Sequence, residues 1–71
     1  MFPETVDPNK LPKKVQEVIN HSSFKCASVC EFENHFGFYT ESGYLFCTIE
    51  KNGMCHLEED GKTVDFKINM N

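Results

Sequence analysis

The sequence contains no arginine: all seven of its basic residues are lysines, set against eleven acids for a formal charge of −4. The planar guanidinium fork reads phosphate and guanine bidentately, so its absence disfavours direct nucleic-acid binding. No apolar run approaches the roughly 20 residues needed to cross a bilayer, and no membrane association is expected. The start, Met1-Phe2-Pro3-Glu4-Thr5-Val6-Asp7, lacks a basic region followed by an apolar stretch, which argues against a signal peptide. A chain that is not exported keeps its cysteines as thiols, so the expected localisation is cytoplasmic.

Cysteine occurs four times, but not in a metal-binding arrangement. Zinc ribbons and fingers need two tight ligand pairs, each on a turn, and Cys26-x3-Cys30, Cys47 and Cys55-His56 do not supply them. On an extended strand Cys26 and Cys30 lie roughly 13 Å apart at about 3.3 Å per residue, too far for a shared metal or a disulfide. The cysteines therefore read as small apolar side chains, and no metal or cofactor is expected. His35 reads as a turn residue, and His21 as the end of a helix, where a cation suits the dipole.

What is present is apolar enough to fold. The chain has 71 residues, 39% of them hydrophobic, with seven Phe and two Tyr. That makes one domain near the lower size limit for a self-sufficient core. Residues 1–10 contain Pro3, Pro8 and little apolar material, which suggests an extended N-terminal arm. Pro12 fits the first turn of a helix, where its missing N–H costs nothing. Leu11, Val15, Val18 and Ile19 then fall on one helical face, predicting a helix over about 12–21 that is too short to stand alone.

After Phe24 the pattern changes to steps of two. Strands are predicted over about 24–32, 36–40, 44–51, 54–59 and 62–70. Asn52-Gly53 and Asp60-Gly61 favour two-residue type I′ hairpins, because Asn, Asp and Gly tolerate positive φ. Glu41-Ser42-Gly43 fits a three-residue loop, and Glu33-Asn34-His35 a weaker one. These turns imply a register: Leu57 opposite Val64, Cys55 opposite Phe66, Thr48 opposite Leu57, Phe46 opposite Glu59, Phe38 opposite Phe46 and Cys30 opposite Phe38. One apolar face results, formed by Phe24, Cys26, Cys30, Phe32, Phe36, Phe38, Tyr44, Phe46, Cys55, Leu57, Val64, Phe66 and Ile68. The expected fold is α+β: a helix packed on one face of a five-stranded antiparallel meander, with strong curling as one form of it.

The same register directs Val29, Tyr39, Leu45, Cys47, Ile49 and Met54 to the other face, with His56 and Glu58 beside them. A contiguous exposed apolar patch usually marks an interface. Tyr39, Leu45, Cys47, Ile49, Met54, His56 and Glu58 are therefore the expected partner-binding residues, for another protein or a homodimer. Two plainer readings compete: the sheet curls into a partial barrel, or the arm folds back with Phe2 and Val6 over this face. The aromatic residues between Phe32 and Phe46 lie among acids and mostly on the core face, so base stacking is disfavoured.

The functional expectation is a small acidic, non-enzymatic protein-interaction module that regulates or inhibits a partner. In size and charge it resembles phage-encoded inhibitors that compete for a basic nucleic-acid-binding surface, an analogy without a motif. The alternative is a ligand-binding or catalytic protein built on Cys47, His56 and Glu58. Nucleophilic catalysis needs such a thiol, base and carboxylate together, and the expected register sets Cys47 opposite Glu58.

Overall fold

The computed structural model describes residues 2–70. Met1, in the expected arm, and Asn71, at the end of the expected domain, lie outside the described residues. The chain runs from strand β1 (Glu4–Val6) through a single 3-10 turn (Pro8–Lys10) into helix α1 (Lys13–His21). Five further strands follow: β2 (Ser28–Glu31), β3 (His35–Tyr39), β4 (Leu45–Glu50), β5 (Met54–Glu59) and β6 (Lys62–Lys67). They form one open antiparallel sheet in the order β1-β2-β3-β4-β5-β6, with α1 against one face. The class is α+β as expected, but the strands number six. The extra one comes from the expected arm, where Val6 pairs with Val29 and Thr5 with Cys30. No helix among the described residues is long and apolar enough to cross a membrane.

Helix α1 begins directly after Pro12, with Gln16 N–H bonding to the Pro12 carbonyl and the Gln16 side chain to that of Leu11. Nine residues cannot hold a helix unaided. Leu11 and Val15 fix it by entering the core, and Val18 and Ile19 pack at its margin. The expected helical face is the buried one.

The register agrees with expectation in some places and differs in others. Asp60 and Gly61 both take positive φ, as a type I′ turn requires, and Leu57 faces Val64 and Cys55 faces Phe66. Glu41-Ser42-Gly43 is the expected three-residue loop, closed by bonds between Thr40 and Gly43 and between Thr40 and Tyr44.

Asn52-Gly53 is not a two-residue turn. Gly53 N–H bonds to the Glu50 carbonyl and only Gly53 has positive φ, so Lys51-Asn52-Gly53 is a three-residue loop. That moves β4 by one position: Cys47 faces Leu57, Thr48 faces His56 and Ile49 faces Cys55. Glu33-Asn34-His35 shortens to two residues, with Phe32 N–H on the His35 carbonyl. Val29 therefore faces Phe38, and Cys30 faces Gly37.

Side-chain burial explains these shifts. The expected register put Thr48 inside and Ile49 outside; the observed one buries Ile49 (0% exposed) and Cys47 (2% exposed) instead. A bulge in the β3–β4 pairing at Phe38/Tyr39 turns Phe46 inward as well, so Phe46 and Cys47 are adjacent and both buried. The core is Leu11, Val15, Val29, Phe38, Phe46, Cys47, Ile49, Cys55 and Leu57. Expected core members Cys30 and Phe32 lie on the opposite face, and Tyr44 is an exposed residue at the rim, its ring tilted against that of Phe24. Phe24 and Cys26 belong to the α1–β2 connection and pack against the core without entering the sheet.

The Lys51–Gly53 loop gives a sharp test. A Cβ on Gly53 would stand 2.2 Å from the Ile68 carbonyl oxygen, in addition to the strain of φ +101°. Gly43 has a similar φ of +88° with nothing near its missing Cβ. Gly43→Ala should cost about 1 kcal/mol from backbone strain alone, whereas Gly53→Ala should cost roughly 3 kcal/mol or more. Urea unfolding of the two variants checks the difference.

Candidate functional site

The helix covers one face of the sheet, so alternation along each strand places a second set of side chains on the uncovered face. From β2 to β6 these include Cys30, Phe32, His35, Tyr39, Leu45, Thr48, Glu50, Met54, His56, Glu58, Thr63 and Asp65. Five of the seven expected partner-binding residues are here: Tyr39, Leu45, Met54, His56 and Glu58. Cys47 and Ile49 are not. The shifted β4 register turns both into the core, and Val29, also expected outward, is 1% exposed beside them.

Gly37 shapes one half of this face. It sits mid-strand in β3, and the rings of Tyr39 and Phe32 occupy the space where its side chain would be. Phe32 also stacks on His35, with ring centroids 4.7 Å apart and an interplanar angle of 11°. The result is a half-buried aromatic surface over β2 and β3. Leu45, paired with Tyr39 and 43% exposed, extends it to β4.

The other half is acidic and centred on His56. Its Nε2 lies 2.7 Å from Glu50 Oε2 and its Nδ1 2.7 Å from Asp65 Oδ1. Both nitrogens donate to a carboxylate only when the ring carries two protons, so this geometry is that of an imidazolium. The hydrogen bonds to Glu50 and Asp65 hold the His56 pKa above its ordinary value, against the small opposing effect of burial. The β5–β6 register puts His56 opposite Asp65, and Glu50 closes β4 alongside. Glu58, two residues on, accepts a hydrogen bond from the Tyr44 hydroxyl, which keeps the phenol pKa above its usual value.

The expected catalytic alternative loses its geometry here. Cys47 lies in the core on the opposite side of the sheet from His56 and Glu58, and burial pushes its thiol pKa up to about 12. A thiol held protonated and without access to a base cannot serve as a nucleophile. Cys55 is also buried, and its pKa is raised by desolvation. Among the described residues no group of three His, Cys, Asp or Glu side chains is arranged to hold a metal ion.

Sequence reasoning found His56 and Glu58 but not the carboxylates that engage His56. Their pairing depends on the register across two hairpins, one of which had shifted. No protein-family model matches the chain, and no curated protein or solved structure matches it.

Two predictions follow from this geometry. Ile49→Ala should destabilise the fold by about 3 kcal/mol, whereas Leu45→Asp should leave stability within about 0.5 kcal/mol, as thermal unfolding will report. The second concerns pH. The folded pKa of His56 is raised, so its contribution to stability is complete below the unfolded value of about 6.5 and is lost as pH rises through the folded value. The stability advantage of wild type over His56→Gln in denaturant titrations should therefore shrink from mildly acidic to alkaline pH.

Proposed function

We propose that the chain is a non-enzymatic protein-binding module that docks the uncovered face of its sheet onto a basic protein surface and so regulates or inhibits its partner. The observation that carries this reading is the composition of that face. An aromatic and aliphatic area of Phe32, Tyr39 and Leu45 adjoins an acidic one of Glu50, Glu58 and Asp65. Apolar anchors beside an area in which acids outnumber bases suit a complementary partner: burial supplies affinity, and the acids supply orientation and a faster encounter. A basic site that otherwise contacts nucleic acid is the kind of target such a surface competes for. Four free cysteines, two of them buried, suit the reducing cytoplasm.

Titration of the isotopically labelled protein with an arginine-rich peptide tests this by amide chemical shift. Perturbations should concentrate on Leu45, Thr48, His56, Glu58 and Asp65 and should weaken with added salt. Glu58→Lys should lower affinity about tenfold, equivalent to 1.4 kcal/mol. Shifts scattered over acids elsewhere, such as Asp7, Glu17 and Glu41, would show non-specific attraction and overturn the reading.

A further inference from the structure

The sheet is open, and its two edges differ. β1 is three residues long, with Pro3 before it and Pro8 shortly after, whereas β6 runs for six residues at the other edge. The hydrogen-bonding phase of β6 is set by Ile68 N–H, which bonds to the Gly53 carbonyl at 2.9 Å. In an antiparallel ladder alternate residues turn their backbone groups toward the same neighbour. Phe66 and Val64 therefore face β5 with Ile68, while the N–H and C=O groups of Thr63, Asp65 and Lys67 face outward from the edge.

The side chains alternate in step. Val64, Phe66 and Ile68 lie on the helix side, but α1 does not reach the sheet's margin: Val64 is 42% exposed, and a groove lined by Val18, Leu57, Phe66 and Ile68 stays open beside the helix. Asp65 and Lys67 lie on the uncovered face. The edge thus offers unpaired backbone groups, an unfinished apolar row and two opposite charges two residues apart.

We propose that β6 pairs antiparallel with β6 of a second copy about a two-fold axis through Phe66. This register sets Phe66 against the partner's Phe66 and Val64 against the partner's Ile68, which continues the apolar face across the junction. It also sets Asp65 against the partner's Lys67, and the symmetry makes that pair twice. Of the neighbouring registers with the same bonding phase, an axis through Asp65 opposes two aspartates. An axis through Val64 leaves Lys67 opposite Gly61, with no acid across from it. The charge pattern therefore selects the Phe66 axis. The contact is self-complementary and closed, so it ends at a dimer and does not propagate. It shares Asp65 with the proposed partner face, whose centre lies over β3 to β5 and which has no part in the β6 backbone pairing.

Sedimentation velocity of the full chain from micromolar to millimolar concentration tests the proposal, with hydrogen exchange as the residue-level readout. A concentration-dependent dimer is expected, with the Asp65 and Lys67 amides gaining protection as it forms. Lys67→Glu replaces two attractions by two repulsions and should weaken dimerisation about tenfold or more. Asp65→Lys should do the same, and the double variant Asp65→Lys/Lys67→Glu should recover the dimer, with circular dichroism confirming that each variant is folded. A wild type that stays monomeric at millimolar concentration would overturn the proposal. So would growth into open-ended oligomers, or a dimer that neither single charge reversal weakens.

Discussion

Burial of Phe46, Cys47 and Ile49 from the single strand β4 places every neighbouring strand. A strictly alternating strand sends one of any two adjacent residues to each face, so Phe46 and Cys47 cannot both enter the core without a bulge. The irregularity at Phe38/Tyr39 supplies it, and the three-residue loop at Lys51–Gly53 carries the corrected phase into β5. Ile49 then meets Cys55, and Cys47 meets Leu57, beneath a helix whose Val15 is itself fully buried. In a domain this small a few well-packed side chains are a large share of the stability, so they outweigh the local preference of Asn-Gly for a tighter turn.

Much of this was legible in the sequence, for identifiable reasons. The helix was readable because Leu11, Val15, Val18 and Ile19 keep helical spacing with polar residues between them. The last hairpin was readable because Asp60-Gly61 and the alternation Val64, Phe66, Ile68 demand the same register. Strand β1 was not readable: three residues between two prolines carry no periodicity, and only Val6 shows a side chain suited to the core. The register of β4 was misread because two adjacent apolar residues, Phe46 and Cys47, fit either phase. Turn chemistry then decided for the wrong one.

The uncovered face inherits the same logic. Tyr39, Leu45, Met54, His56 and Glu58 were placed on it by alternation alone and remain there. Cys47 and Ile49 left it when β4 moved, which removed its most apolar part and brought Thr48 and Glu50 into their place. The face is consequently more polar than a simple alternation suggests, and its acids meet at His56, where two carboxylates converge on one ring. Gly37 lets the aromatic side pack closely on the strand, since a Cβ there would stand only 3.0–3.3 Å from the Tyr39 and Phe32 side chains.

Strand β1 bears on how the chain reaches this structure. From β2 to β6 each strand pairs with its neighbour in sequence across a short loop, so those contacts close quickly and at small entropic cost. The β1–β2 ladder instead joins Glu4 to Glu31 across the whole helix. It is the least local pairing in the sheet and one of the shortest, held in part through Lys51, whose ammonium lies 4.4 Å from the centre of the Phe2 ring and forms an ion pair with Glu31. By sequence separation alone, the β1–β2 ladder carries the largest loop-closure cost of any pairing in the sheet, in return for only three residue pairs.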